Sequence, residues 1–488
     1  MSDATEINGC WQGILAANRE NSQRDAARLR ACVDVFAANE SRNEQLQHIY
    51  EGSVPLRVLP DTVPARYRSM TIGCPWPEVA VQSVVERSQF DGFVFTDPDC
   101  DAARRLDAIA QRCDLDNGYQ VALTDSLITG VSFAVVCRDD EGASVRWHTA
   151  HSAAGTWNYA KQRLDCGFAI VDRMRRPGGS TGDERTDTVP SQIDFYTEAG
   201  CWELTRSERG GWSAEWLPDG MGRPRIEALV FRPDGTHPLG RSRISRPMRA
   251  IVQEYMANAL NIHVASEFTA IGQKWATGLS DTQLAKFAEN KWNFSADSAV
   301  LVTDNPATGS NPQFGTFTQQ SMEPLLSVKR SLATDFAAAA SLPISELLTQ
   351  DSNPTSAEAL NAAKDKLISL VECVNRRNRR TLRTLGMMLL AIDGNKALAD
   401  LTEEERGAMA HFREPSTPTA ASLADANLKI AQTIDGYGNT TVCRERLGFD
   451  ASERARIQAE TDSLAATEAL NELAAIRLAK EEAATDGN

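Results

Sequence analysis

The sequence predicts an α+β protein, elongated and mainly α-helical, with a β-rich region early in the chain and a small αβ insert between two long helices. Three observations point there. Apolar residues recur at helical spacing over three long stretches between Ser245 and Asp393, where the mean globular helix has only about 11–12 residues. From Val131 to Arg232 the pattern changes to short alternating or β-branched runs separated by turn residues. The 488 residues, 42% hydrophobic and 24% charged, exceed what one core needs and imply about two to four folding units.

Residues 20–50 read as a helix with Leu29, Val33, Phe36 and Ala37 on one face, ending before Tyr50-Glu51-Gly52. A loop holding Pro55, Pro60, Pro64, Pro75 and Pro77 follows, then a helix carrying Val79, Val81, Val84 and Val85. The runs VSFAVVC, SVRWHT, FAIVDRM, QIDFYTE, CWELTRS and EALVFRP, with turns such as Gly178-Gly179 and Gly210-Gly211, predict an antiparallel sheet inserted among helices.

Ser245 is the expected N-cap of a helix of about 26 residues, roughly 40 Å long, whose apolar positions are Met248, Ile251, Val252, Tyr255, Ala259, Ile262 and Phe268. Residues 272 to 318 read as an αβ insert: a helix around Asp281 to Asn290, a strand from Ala299 to Val302, a turn at Asn305-Pro306 and a strand from Phe314 to Phe317. A second long helix runs from Ser321 to Ala340 through Leu325, Leu326, Val328, Leu332 and Phe336. Pro343 stops it, and the polar segment ISELLTQDSN leads to Pro354. Thr355 and Glu358 form a capping box for a helix of some 37 residues, roughly 55 Å, with Gly394 as its C-cap. Residues 403 to 488 read as mostly helical, with breaks at Pro415, Pro418, Gly436 and Gly448.

The net charge of −15 argues against a broad basic face for tight nucleic-acid binding, without excluding DNA contact. Its distribution is uneven: Ala357 to Ala391 carries +4, and Ile392 to Asn488 carries −8. The basic excess sits on Lys364, Lys366, Arg376, Arg377, Arg379, Arg380 and Arg383. Four arginines in five positions are expected to spread over more than half the helical circumference, so that they cannot all face one groove. Ion pairing within or between subunits, a solvated face and DNA contact remain the three readings. The ten cysteines are scattered with no CxxC pair, which fits reduced, mostly buried thiols in a cytoplasmic setting. No signal peptide or membrane-spanning run is visible, so a soluble, unexported protein is expected.

Catalytic machinery is not visible. Gly178-Gly179-Ser180-Thr181-Gly182 matches the G-x-S-x-G elbow, but charged and proline residues flank it where an apolar strand and a helix are required. His148-x-x-His151, with Asp165 and Cys166 nearby, lacks a second ligand pair at metal-binding spacing. There is no phosphate-binding G-x-x-x-x-G-K-[ST] loop. No cofactor, no metal and no enzymatic activity are expected.

Several stretches, in order, resemble the portal proteins of tailed bacteriophages, particularly those of siphophages and prophages of Gram-positive hosts. They are Ile49-Tyr50-Glu51-Gly52-Ser53-Val54-Pro55-Leu56, Val81 to Phe93, Pro238 to Pro247, Leu332 to Leu348, Asn353 to Leu367 and Phe412 to Gln432. The resemblance implies a homo-oligomeric ring, a dodecamer, around an axial channel. It divides this sequence into a wing (1–241, β-rich over 131–232), a stem helix (242–271), a clip (272–318) and a second stem helix (319–341). A channel loop (342–354), a long wing or crown helix (355–394) and a helical crown with C-terminal tail (395–488) follow.

The loop would present Ile344, Ser345, Glu346, Leu347, Leu348, Thr349, Gln350, Asp351, Ser352 and Asn353 to the channel, with Glu346 and Asp351 making DNA contact repulsive or water-mediated. Lys364 and the five arginines 376, 377, 379, 380 and 383 would form ion pairs or face DNA. The implied partners are double-stranded DNA, the terminase large subunit, a head-tail connector or adaptor, and the major capsid and scaffolding proteins. The implied location is the capsid vertex of the virion, reached from the host cytoplasm. A nucleic-acid-processing enzyme of a mobile element and a helical scaffold or adaptor without a channel are the alternative classes.

Overall fold

The computed structural model describes residues 2–53, 72–98, 100–175, 188–207, 210–271, 274–277, 313–316, 321–347, 357–416, 420–449 and 451–485. Helices α1 (Asp3–Glu6), α2 (Trp11–Ala16), α3 (Ser22–Tyr50) and α4 (Trp76–Val85) open the chain, followed by strand β1 (Phe90–Val94) and helices α5 (Asp101–Arg112) and α6 (Leu115–Thr129). Eight strands come next: β2 (Val131–Asp139), β3 (Gly142–Thr149), β4 (Ala153–Asn158), β5 (Arg163–Arg175), β6 (Thr188–Tyr196), β7 (Gly200–Arg206), β8 (Trp212–Pro218) and β9 (Ile226–Val230). Then follow α7 (Arg246–Ile271), β10 (Lys274–Thr277), β11 (Gln313–Thr316), α8 (Glu323–Ala340) and α9 (Ala357–Asp393). The last elements are α10 (Glu403–Arg406), β12 (Met409–Phe412), α11 (Ala420–Ala431), α12 (Thr441–Arg446) and α13 (Ala451–Thr485). Packing divides the chain into two compact units, one of Met1–Ser41, Gln82–Ser242 and Leu367–Asn488, the other of Arg42–Val81 and Arg243–Lys366.

In the first unit the six predicted strand runs all form strands, but they belong to two sheets instead of one. The orders are β3-β2-β9 and β4-β5-β6-β7-β8, every pairing antiparallel. The cause is the two-residue alternation of each strand. Phe168, Ile170, Phe195 and Trp202 bury themselves under Ile14, Leu29, Val33 and Phe36 of α2 and α3. Their neighbours Ala169, Tyr196 and Cys201 point the other way, onto Phe133, Val135, Ile226 and Ala228 of the smaller sheet. A five-stranded sheet covered on both faces needs two partners, and the second sheet is one of them. Ala37, expected on the buried face of α3, is exposed.

The rest of this unit includes a short ribbon, β1 with β12, pairing Phe90 with Phe412 and Phe93 with Ala410. Helix α9 packs beside it at Gly386, where a Cβ would come within 2.8 Å of the Phe93 ring. Helix α9 ends in a six-to-one turn, with the Lys396 amide donating to the Ala391 carbonyl at 2.8 Å. Gly394 occupies the cap position as predicted, but the left-handed residue is Asn395, φ 51°.

In the second unit α7 and α8 pack together. Met248, Val252, Met256 and Leu260, four apart, are the buried stripe of α7, while Ile251, Tyr255, Ala259 and Ile262 of the predicted face are half-buried. On α8, Leu332, Ala333, Phe336, Ala337 and Ala340 are buried, whereas Leu326 and Val328 are 37% and 46% exposed. Strands β10 and β11 pair antiparallel, Lys274 opposite Thr316. The predicted strand over 314–317 is thus displaced by one residue, and the predicted helix at 281–290 and strand at 299–302 lie outside the described residues, as do Thr355 and the 178–182 motif. Among the described residues no helix is long and apolar enough to cross a membrane.

Candidate functional site

The basic helix α9 has two distinct sides within the first unit. Val374, Asn375, Asn378, Leu382 and Leu385 are buried, while Arg376, Arg377, Arg379, Arg380 and Arg383 are exposed. The expectation of an arginine spread over more than half the circumference is corrected here. At about 100° per residue the four clustered arginines occupy an arc of about 160°, and they form one solvent-facing strip. Arg383 donates to the Arg406 carbonyl at 3.0 Å. Among the described residues no hydrogen bond or ion pair of this chain engages the guanidiniums of Arg376, Arg377 or Arg379. Lys364 is half-buried and falls in the other unit.

The buried side is fixed by a polar knot. Ser88 donates from its hydroxyl to Asn375 Oδ1 at 2.6 Å and lies 2.9 Å from the Tyr119 hydroxyl, and Asn378 Nδ2 donates to that same hydroxyl at 2.9 Å. All four residues are buried, and burial pushes the Tyr119 hydroxyl up to about 12. The Ser88 and Tyr119 hydroxyls, Asn375 Oδ1 and Asn378 Nδ2 therefore each face a polar partner, which fixes the rotation of α9 about its axis.

Beside the arginine strip is a cavity of about 580 Å³. Arg376 and Arg379 line it from α9, Asp91, His411 and Arg413 from the β1–β12 ribbon, and Val442, Arg446 and Phe449 from α12 and the turn after it. Alternation along the ribbon explains the placement. Phe90 and Phe412 stack on Tyr119, with ring centroids 6.0 and 5.5 Å away, so Asp91, His411 and Arg413 emerge on the opposite side.

Asp91, 10% exposed, is the hub of this cluster. It accepts from Arg413 at 3.2 Å and from Arg454 of α13 at 3.1 Å, and His411 Nδ1 lies 3.5 Å away. Arg454 also donates to Glu445, and His411 Nε2 is 3.7 Å from that residue. Burial raises the Asp91 carboxyl, yet His411, Arg413 and Arg454 together hold it below its ordinary value. Asp91 thereby ties the C-terminal helices to the ribbon. Arg446, like Arg376 and Arg379, has no such partner among the described residues.

In the second unit, Trp76 packs between Tyr255 and Phe336, ring centroids 4.4 and 5.5 Å away. Arg243, 2% exposed, donates to the Ala80 carbonyl and, at 3.0 Å, to that of Ala340. Helix α8 closes with Ser341 left-handed, φ 55°, and the Leu342 amide donating to the Ala337 carbonyl at 2.9 Å. Leu342 and Pro343 are buried, and a single 3-10 turn, Ile344–Glu346, then brings the chain to the surface with Ile344 46% exposed. Of the predicted loop residues, Ile344, Ser345 and Glu346 are exposed and Leu347 half-buried; Leu348, Thr349, Gln350, Asp351, Ser352 and Asn353 lie outside the described residues.

No family model matches the chain. Over 442 residues it is 25% identical to the portal protein of Mycobacterium phage D29, covering 86% of each chain. Over 407 residues it is 25% identical to the portal protein of Mycobacterium phage L5, covering 80% of this chain and 79% of that one. The chain is thus similar to mycobacteriophage portal proteins along some four-fifths of its length. It is also similar, at 14% identity and a TM-score of 0.40, to a chain of the virion of a native gene transfer agent particle, covering 83% of this chain and 93% of that one. A chain from the neck of such a particle gives the same identity and TM-score over 77% of this chain and 90% of that one.

The sequence pattern placed the arginines on a helix but did not reveal the cavity. Its lining brings Asp91 together with His411, more than 300 positions on and carried by a four-residue strand in a region read as helical. The phenylalanines in Phe90-Asp91-Gly92-Phe93 and His411-Phe412 were the available strand signal. His148, singled out with His151, is half-buried in β3, and desolvation there, with Arg146 nearby, lowers it to about 4. Among the described residues no His, Cys, Asp and Glu group could hold a metal ion.

Proposed function

We propose that the chain is a structural, non-catalytic subunit of a phage portal: a dodecameric ring at one capsid vertex through which double-stranded DNA is packaged and later ejected. The observation carrying this reading is the similarity to two phage portal proteins along some four-fifths of the chain. In this reading α7 and α8 are the stem pair, residues 272–318 the clip, 342–354 the channel loop, α9 the helix behind it and 395–488 the crown. The wing is 1–241, although residues 42–81 pack with 243–366. The clip would dock the terminase large subunit and then the head-tail connector, and the ring would seat among capsid and scaffolding proteins in the virion after assembly in the host cytoplasm.

The physics supports sliding and not gripping. Each neutralised phosphate adds salt-dependent affinity, so a channel through which DNA moves is best left neutral or acidic, in keeping with the net charge of −15. The exposed Leu326 and Val328 on α8 and the unengaged arginines on α9 are surfaces that a neighbouring subunit would cover. Deleting residues 344–352 tests the loop assignment. Ring assembly is expected to persist while DNA packaging or retention fails; a deletion that abolishes folding would refute the assignment.

A further inference from the structure

We infer that the cavity beside α9 receives the acidic, leucine-bearing stretch Glu468–Leu473 of α13 from a second copy of the chain. The inference rests on the ring reading above and adds which surfaces meet. The cavity offers two things that the chain leaves unused. Arg376, Arg379 and Arg446 face it without a hydrogen-bond or ion-pair partner among the described residues, and Val442 and Phe449 on its lining are 50% and 38% exposed. An occupant with carboxylates and apolar side chains would satisfy both.

Helix α13 carries both. Glu468 and Glu472, four apart, share one side, and Leu473 and Leu470, 63% and 66% exposed and three apart, follow about 100° and 160° round the helix from Glu472. Carboxylates one turn apart match Arg376 and Arg379, guanidiniums also one turn apart, for two charge-assisted pairs. The same chain cannot supply the segment. Arg454 is held on Asp91, itself a lining residue of the cavity, and α13 runs unbroken to Thr485. Glu468 and Glu472 therefore lie roughly 21 and 27 Å farther along a straight helix. A helix fixed at one end beside its own cavity presents its far end to the next copy, which makes the contact heterologous, the kind that closes into a ring.

The test is self-association of the full chain, followed by mass photometry or sedimentation over a concentration series. Arg376→Glu/Arg379→Glu and Glu468→Arg/Glu472→Arg are each expected to raise the association midpoint about tenfold or more, and the combined four-residue swap to return it towards wild type. These side chains are exposed, and an unchanged melting temperature confirms that each variant folds. Wild-type association in both reversed variants, or a swap no better than either one, overturns the inference and leaves the ring reading standing. Loss of affinity for a double-stranded DNA fragment in Arg376→Glu/Arg379→Glu with association unchanged also overturns it, in favour of phosphate as the ligand. A wild-type chain that stays monomeric overturns both readings.

Discussion

Asp91→Asn removes the single carboxylate shared by Arg413, Arg454 and His411 while leaving those three side chains in place. The Arg413 side chain is 46% exposed, so its pair adds at most about 1 kcal/mol. Arg454 is 13% exposed against Asp91 at 10%, and losing one partner of so enclosed a pair costs up to about 3–5 kcal/mol. Glu445 remains to pair with Arg454 and His411, which lowers the expected loss to about 2–3 kcal/mol, or roughly 30- to 150-fold in a local opening equilibrium. That opening frees α12 and the start of α13 while the sheets stay closed. Native-state hydrogen exchange read by mass spectrometry should therefore show faster exchange in peptides covering 441–457, with peptides from β5 to β7 unchanged. Because the Asp91 carboxyl is depressed when folded, its contribution is complete above the ordinary aspartate value of 3.8 and disappears as pH falls through the lowered one. The variant and wild type should then converge in acid. Equal exchange of 441–457 in both proteins at neutral pH would refute the assignment of Asp91 as the tether.

Tyr119→Phe should lower stability by about 1–3 kcal/mol, because Asn378 Nδ2 and Ser88 lose a buried partner. With the hydroxyl pushed up to about 12, its stabilisation is complete below the unfolded value of 10.0 and is lost only as pH rises towards 12, so thermal melts from pH 7 to 9 should show a constant deficit. Of the ten cysteines, Cys373 alone is exposed, and Cys10 and Cys74 are raised to about 12 by burial. A thiol reagent should label Cys373 fastest, in a phase absent in Cys373→Ser, the half-buried Cys113 and Cys137 more slowly, and the buried thiols only in denaturant; an equally fast phase surviving that substitution would contradict the burial pattern.

What the sequence made legible followed from periodicity. The long helices appear within a few residues of their expected bounds because capping and proline signals at Ser245, Pro343 and Gly394 are local. The strands between Val131 and Arg232 were legible for the same reason, but their division into two sheets was not. Whether Ala169 and Phe168 face different layers depends on which distant elements cover each face, and α2, α3 and β9 are far away in sequence. The buried stripe of α7 also differs from the predicted face of 248, 251, 252, 255, 259, 262 and 268: Met248, Val252, Met256 and Leu260 are buried, while Tyr255 is half-buried against Trp76 and Lys329. The cavity was invisible for a further reason. Asp91 and Arg454 are 363 positions apart, and charged residues carry no periodic mark of the partner they will meet.

Negative-stain electron microscopy of the purified full-length chain tests the portal reading most directly. End-on particles should average to closed rings with a central hole wide enough for a DNA duplex, about 20 Å or more, given grooves of some 12 Å by 8.5 Å. Monomers throughout, or open filaments without an axial hole, would contradict it.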